Sequence, residues 1–206
     1  MLKEVFENLI ENYCHDHQLR LKLWDEIEIA YTSESRYYHN LHHLVSVYHE
    51  LKAVEDQIYD FDTILFTLFY HDFVYDPLES DNELQSAIVA RERLAKVGFP
   101  ILLIERCYEQ IVATHGHHRS VENDTNLFTD ADLSVLGKDW SIYLEYGQQI
   151  RKEYHAYPDE VYRIGRSKVL KHFLAMERIY KTAHFYQLYE KNARKNMQNE
   201  LELLMD

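Results

Sequence analysis

Residues 35–45 read SRYYHNLHHLV, the most histidine-rich segment in the first half of the chain. It places three histidines, His39, His42 and His43, within five positions. Apolar residues recur after it at helical spacing as far as Ile58. The pattern predicts one amphipathic helix that begins at position 38 or 39 and ends near Ile58.

The helical spacing sorts the histidines of this segment onto two faces. His43 precedes Val47 by four residues, which places it on the apolar face, with His39 one turn earlier on the same face. His42 and His49 share the polar face. We therefore expect His39 and His43 to point into the protein and the other two to point into solvent.

Two further segments place acidic residues in apolar surroundings. His71 and Asp72 end a run without charge, because positions 63–71 contain no Asp, Glu, Lys or Arg. A helix that is apolar all round is buried on all sides, so the helix predicted at 61–73 should be central. A carboxylate at its end is costly unless it is paired or bound to a cation. The third segment, at 131–134, reads ADLS.

The composition favours long helices over strands. Only 5 Gly and 3 Pro occur in 206 residues, and no alternating pattern of convincing length indicates a strand. The fold class is predicted to be all-α, in a single domain at 1–206. Ser80 and Glu83 have the spacing of a capping box at the start of the fifth helix. The helices are predicted at about 2–14, 18–31, 38–58, 61–73, 80–98, 101–114, 127–136, 139–154, 158 onward and 183–204.

The charge and the cysteines limit the classes of partner. A net charge of −13 disfavours the backbone of a long nucleic acid, which needs a basic surface. Cys14 and Cys107 lie far apart and form no CxxC pair, so we expect a reducing compartment and no disulfide framework. The N-terminus lacks the apolar core of a signal peptide, and no run is long enough for a membrane span. We expect a cytoplasmic protein without membrane partners.

The side chains His43, His71, Asp72 and Asp132 form a mixed set of nitrogen and oxygen ligands. Such a set suits a divalent ion such as Mn, Mg, Fe, Co, Ni or Zn better than a soft ion. Four protein ligands leave about two octahedral positions for water and a substrate oxygen. The sequence therefore predicts one divalent metal ion, held where these segments meet.

These four ligands, in this order, resemble the H…HD…D pattern of the HD-domain metal-dependent phosphohydrolases. The resemblance covers most of the chain and is strongest to a bacterial group described only as predicted HD phosphohydrolases. It implies an all-α HD-domain helical bundle with additional N- and C-terminal helices. The metal-binding core would lie at about 36–136, with the C-terminal helices of 139–206 packing on it.

Two shorter motifs resemble the cyclic-nucleotide phosphodiesterases of the same superfamily. YHNLHH is similar to their Y-H-N-x-x-H motif, and ADLS is similar to the segment with their last metal-binding aspartate. The resemblance implies that His43 is a metal ligand and that His39 is the general acid that protonates the leaving group. It also implies that Asp132, rather than Asp130, is the distal ligand.

Four more side chains are candidates for the site. Arg36 could contact a phosphate oxygen bidentately, or could belong to a solvated connector. Asp76 lies four residues past the HD pair, where an acid acts near the attacking water in (p)ppGpp hydrolases, which this segment resembles. The alternative for Asp76 is a turn residue. His115 and His118 follow a helix end and could hold a second metal, or could form a loop cluster at the helix C-terminus.

These features predict a metal-dependent phosphohydrolase, either a phosphomonoesterase or a phosphodiesterase, that uses a metal-activated water. The substrate would be a nucleotide or another small phosphorylated metabolite. One alternative is a di-iron oxygenase on the same scaffold, which requires the second metal. The other is a non-catalytic regulatory module that binds a metal or a nucleotide. The sequence leaves the oligomeric state open, with a homodimer among the options.

Substituting Asp72 by Ala is expected to abolish metal binding, because the carboxylate would touch the ion directly. Asp72 counts among the predicted catalytic residues for the same reason. Metal content per chain after purification and after reloading measures the effect. Full metal content in Asp72→Ala would contradict the predicted site.

Overall fold

The computed structural model describes residues 1–205, and within them the chain is built from helices joined by short connections. No strand occurs in this part of the chain, so the all-α prediction is confirmed. Two short 3-10 segments, Glu55–Gln57 and Leu133–Gly137, accompany the α-helices. The α-helices are α1 (Leu2–Glu11), α2 (His17–Tyr31), α3 (Leu41–Lys52), α4 (Phe61–Tyr70), α5 (Asn82–Lys96), α6 (Ile101–Ala113), α7 (Asn123–Asp132), α8 (Trp140–Glu153), α9 (Asp159–Ala175) and α10 (Ala183–Met205).

The chain divides into two compact units, Met1–Thr129 and the part from Asp130 onward. The dividing point falls inside α7, so one continuous helix contributes residues to both units. In the second unit, α10 contacts α9 and the 3-10 segment at Leu133–Gly137. A partly buried bidentate pair, with Arg166 nitrogens 2.7 and 3.0 Å from Glu200 oxygens, joins α9 to α10.

The uncharged helix α4 lies at the centre of the first unit. All of its side chains from Thr63 to Tyr70 are buried, as the sequence predicted. It contacts α1, α3, α5 and α6. Phe69 packs edge-on against Phe6 of α1, with ring centroids 5.1 Å apart. The end of α4 at Tyr70 is therefore fixed from several directions.

The helix predicted at 38–58 is shorter than its apolar pattern. α3 begins at Leu41 because Asn40 caps it, with the Asn40 side-chain oxygen accepting from His42 N at 2.8 Å. It ends at Lys52, and only the 3-10 segment Glu55–Gln57 follows. His39 therefore precedes the helix, and the predicted start at position 38 or 39 was wrong.

The helix predicted at 127–136 begins earlier and ends earlier than expected. α7 starts at Asn123, four residues before the predicted start, and ends at Asp132, where the 3-10 segment Leu133–Gly137 follows. Asp124 is buried and accepts hydrogen bonds from Tyr59 N and Asp60 N, both at 2.9 Å. A polar side chain can be buried when it satisfies backbone donors in this way, which a polarity pattern does not reveal.

The predicted capping box at the start of α5 was also wrong. The N-cap of α5 is Asp81, which makes no side-chain capping bond. Glu83 instead lies 3.1 Å from His115 Nδ1.

Cys14 and Cys107 are both buried and free of disulfides. Among residues 1–205, every helix is too short or too polar to cross a membrane.

Leu68→Ala should lower the free energy of unfolding by about 2–5 kcal/mol, because Leu68 is fully buried in α4 and the truncation leaves a cavity. Urea denaturation followed by circular dichroism measures the change. The matched control is Leu78→Ala, since Leu78 is 60% exposed and its truncation should change stability by less than about 0.5 kcal/mol. Equal effects of the two substitutions would contradict the central position of α4.

Candidate metal centre

His43 lies in the first turn of α3 and points into the protein. Its side chain is 2% exposed, while His42 and His49 are exposed. The inward and outward sorting of these three histidines from helical spacing is confirmed. His39, which lies before the helix, is half-buried.

His71 is the C-cap residue of α4 and is almost fully buried. Its Nδ1 lies 3.0 Å from the carbonyl oxygen of Leu68. Because a carbonyl can only accept, Nδ1 carries the hydrogen, and in the neutral imidazole Nε2 then keeps a lone pair. A backbone carbonyl on one ring nitrogen is the usual arrangement that orients the other nitrogen toward a metal.

The ligand atoms of His43, His71 and Asp72 converge. Nε2 of His43 and Nε2 of His71 lie 3.1 Å apart. Oδ2 of Asp72 lies 3.1 Å from His71 Nε2 and 3.7 Å from His43 Nε2. Two imidazoles and a carboxylate from α3 and the end of α4 therefore meet at one point.

Asp132 joins this group at the end of α7. Phe128, one helical turn earlier, packs edge-on to the ring of His71, with centroids 5.4 Å apart. Ligand atoms of His43, His71 and Asp132 all lie within 4.8 Å of one another. Asp130 is not part of this group, which agrees with the expectation that Asp132, rather than Asp130, is the distal ligand. Asp130 lies in the last turn of α7.

The separations fit a single ion. Ligand atoms about 2.1 Å from a common ion are about 3.0 Å apart at a right angle and about 4.2 Å apart when opposite. The separations of 3.1 and 3.7 Å among the ligand atoms of His43, His71 and Asp72 lie within this range. The donor set of two nitrogens and carboxylate oxygens suits a divalent ion. His43, His71 and Asp132 could therefore hold a metal ion, with Asp72 supplying a second carboxylate.

Arg36 is buried and bonded to the backbone around the HD pair. Its Nη1 donates to Asp72 O at 2.6 Å and to His39 O at 3.2 Å, and its Nη2 donates to Phe73 O at 2.8 Å. The solvated connector considered for Arg36 is wrong, since the residue is 8% exposed. The guanidinium ties the segment before α3 to the segment after α4.

Two tyrosines complete this arrangement, and sequence reasoning missed both. The guanidinium carbon of Arg36 lies 4.9 Å from the ring centroid of Tyr31 and 5.4 Å from that of Tyr75. The hydroxyl of Tyr31 accepts from Asp72 N at 3.2 Å. No local pattern singles out Tyr31, which ends α2 as one of 17 tyrosines.

The imidazole of His39 lies beside the metal-binding group. Its ring centroid is 5.9 Å from that of His43 and 4.2 Å from that of Tyr75, which lies at a tilt of 32°. Packing against Tyr75 and Tyr38 holds the ring. The general acid implied by the resemblance thus lies next to His43, a candidate metal ligand.

Asp76 and the second histidine cluster lie in other surroundings. Asp76 is exposed, and its carboxylate accepts from Leu78 N at 2.9 Å, as a turn residue does. Its catalytic role stays a prediction. The side chain of His115 is 65% exposed and pairs with Glu83. Within residues 1–205, neither His115 nor His118 belongs to a group of three or more ligand atoms.

A lysine that no sequence pattern singled out is buried near the end of α7. Lys181 Nζ lies 3.4 Å from Asp130 Oδ1. Burial lowers the pKa of Lys181, and the negative charges of Asp130, Asp132 and Glu190 oppose that shift. Asp130 is therefore the acidic partner of Lys181 that the geometry shows.

Comparison of the chain with models of known protein families, with curated proteins and with solved structures finds no match.

Arg36→Lys should weaken Mn²⁺ binding about 10- to 100-fold. The compact ammonium of lysine lacks the planar fork with which Arg36 donates to the carbonyls of Asp72 and Phe73, so Asp72 would be positioned less well. The substitution leaves the net charge unchanged. Calorimetric titration of Mn²⁺ into metal-stripped protein measures the affinity. Arg119→Lys is the matched control, since Arg119 is exposed. Wild-type Mn²⁺ affinity in Arg36→Lys would show that the hydrogen bonds of Arg36 do not support metal binding.

Proposed function

We propose that this chain is a metal-dependent phosphohydrolase of the HD type, acting on a nucleotide or another small phosphorylated metabolite. The observation that carries the proposal is the convergence of His43, His71 and Asp132, whose ligand atoms lie within 4.8 Å of one another. Asp72 adds a carboxylate 3.1 Å from His71. These are the residues of the H…HD…D pattern, which supports the reading of that pattern as a ligand set.

A divalent ion bound by these residues would acidify a water and polarise a phosphoryl oxygen. The residues of the protein would hold the ligand groups in position. His71 presents its Nε2 lone pair because Leu68 O accepts from Nδ1. Arg36 orients the backbone of Asp72 and His39 through their carbonyls, so it is assigned a positioning role in place of the phosphate contact.

His39 is the proposed proton donor to the leaving oxygen. Its ring lies next to His43 and is only half-buried, so a substrate oxygen beside the metal-binding group is within its reach. Packing against Tyr75 limits the ring to one region. Proton delivery of this kind assists most when the leaving group is a poor one.

The electrostatic character of the chain favours a small substrate. With a net charge of −13, the protein repels the long phosphate backbone of a nucleic acid. A small ester can reach a locally positive site when an ion is bound. A nucleotide or a phosphorylated metabolite meets this condition.

The arrangement favours the hydrolase over the two alternatives. A di-iron oxygenase needs a second metal site. Residues 1–205 contain a single group of three residues that could hold an ion, and no second such group. A regulatory module would bind a metal or a nucleotide without turnover. His39 beside the ligand group supports a catalytic site.

A panel of phosphomonoesters and phosphodiesters tests the proposal. Metal-stripped protein receives Mn, Mg, Fe, Co, Ni or Zn one at a time, and released product is measured. His43→Ala should reduce turnover by about 100-fold or more, because it removes a ligand. His42→Ala, which changes the exposed neighbour, should behave as wild type. Absence of turnover across the whole panel, with tight nucleotide binding, would favour the regulatory module.

His39→Gln tests the proton donor separately. It should lower kcat by about 100- to 10,000-fold for an ester with an alcohol leaving group, because the leaving oxygen then departs without a proton. The loss should be much smaller for a nitrophenyl ester, whose leaving group is stable as an anion. Metal content should stay at the wild-type level. Equal losses for both esters would assign His39 to substrate orientation instead.

A further inference from the structure

Tyr75 contacts both the proposed proton donor and the arginine that holds the HD segment. Its ring centroid lies 4.2 Å from that of His39, so the two rings are in van der Waals contact. The guanidinium carbon of Arg36 lies 5.4 Å from the centroid of Tyr75. Tyr75 lies in the connection between α4 and α5, outside both helices. The place of its ring therefore depends on what fixes this connection.

Two side chains of α5 hold the backbone on both sides of Tyr75. Ser86 Oγ accepts from Val74 N at 3.0 Å and lies 3.2 Å from Val74 O, to which it donates. Asn82 Oδ1 accepts from Asp76 N at 2.9 Å, and Asn82 Nδ2 donates to Asp76 O at 2.8 Å. The residue before Tyr75 and the residue after it are thus each bonded through their amide and their carbonyl.

The helix that carries these two side chains is itself fixed. Asn82 and Ser86 are four residues apart, which places them on one face of α5. Ser86 is fully buried, and α5 contacts both α4 and α6. Asn82 Nδ2 also lies 3.4 Å from Glu79 O, which extends the contact along the connection. α5 is therefore a rigid support for the backbone around Tyr75.

We propose that Asn82 and Ser86 are positioning residues for the reaction and act by holding Tyr75 against His39. The proposal rests on the proposed function, in which His39 gives its proton to the leaving oxygen. Proton transfer depends on placement, since the donor must come within hydrogen-bond distance of the acceptor. A fixed Tyr75 ring limits where the imidazole can lie. Neither Asn82 nor Ser86 has to touch the substrate or the ion for this role.

A purely structural role for these bonds predicts a different result. Loss of support for the fold would lower metal affinity and slow the hydrolysis of every ester alike. Loss of the placement of His39 would slow only esters whose leaving group needs a proton. The candidate ligands His43 and His71 lie in α3 and at the end of α4, outside the connection that Asn82 holds. Metal affinity should therefore be retained when Asn82 is changed.

The principal variant is Asn82→Ala, which removes both bonds to Asp76. Its kcat should fall about tenfold or more for the alcohol ester that the wild-type protein hydrolyses fastest, because the imidazole is placed less well. Its kcat for nitrophenyl phosphate should stay within a few-fold of wild type, as should the Mn²⁺ affinity measured by calorimetry. Ser86→Ala frees the other side of Tyr75 and should act in the same direction.

A second measurement reads the ring contact without catalysis. In metal-stripped protein, nuclear Overhauser effects between the ring protons of His39 and Tyr75 report their packing, and His39→Gln assigns the histidine signals. The effects should be present in wild type and weaker or absent in Asn82→Ala. The matched control is Gln85→Ala, since Gln85 also lies in α5 but its amide donates to Asp81. It should keep both the ring contact and the wild-type kcat.

Wild-type Overhauser effects in folded Asn82→Ala and Ser86→Ala would overturn the proposal. Equal loss of kcat for the two esters would also overturn it, as would a parallel fall in Mn²⁺ affinity. If circular dichroism shows that both variants are unfolded, the bonds belong to the fold and the proposal fails. Loss of the ring contact in a protein whose wild type hydrolyses no ester would remove the proposed function and leave the placement of His39 by α5 standing. Turnover in wild type with an unchanged ring contact in both variants would do the reverse.

Discussion

α4 must be enclosed on every side, and this constraint organises the first unit. Its side chains from Thr63 to Tyr70 carry no charge and are all buried, so α1, α3, α5 and α6 surround it. The first groups after this apolar stretch that can bind an ion are His71 and Asp72. They emerge where the helix ends, at a place that the surrounding helices hold rigid. The burial of α4 thus fixes the position of the candidate metal centre.

Hydrogen bonds around the backbone carry this rigidity to the ligands. Arg36 donates to the carbonyls of His39, Asp72 and Phe73, which joins the segment before α3 to the segment after α4. Tyr31 accepts from the amide of Asp72. A guanidinium can do this because its donors form a planar fork that reaches several acceptors at once. The ligands are therefore held by groups that would not touch the ion themselves.

Local pattern predicted much of the fold and of the candidate site. The inward position of His43 follows from its spacing to Val47, and the burial of α4 follows from its lack of charge. The pattern failed where polar side chains satisfy backbone groups. Asn40 caps α3 and so starts it later than its apolar spacing implied, and Asp124 is buried because it accepts two backbone amides. Hydrophobic periodicity does not reveal either interaction, since both are hydrogen bonds from backbone amides to polar side chains.

The sequence alone determined the all-α class, the inward face of α3 and the order of four ligand-type residues along the chain. Each depends on neighbours within a helical turn or on a run of one residue type, so no distant contact was needed. Only the tertiary structure decided that His43, His71 and Asp132 come within reach of one ion. It also decided that Arg36 is buried, where its guanidinium reaches backbone carbonyls of two segments, and that Lys181 lies against Asp130. These depend on residues far apart in sequence, whose meeting is set by how helices pack and not by local propensity.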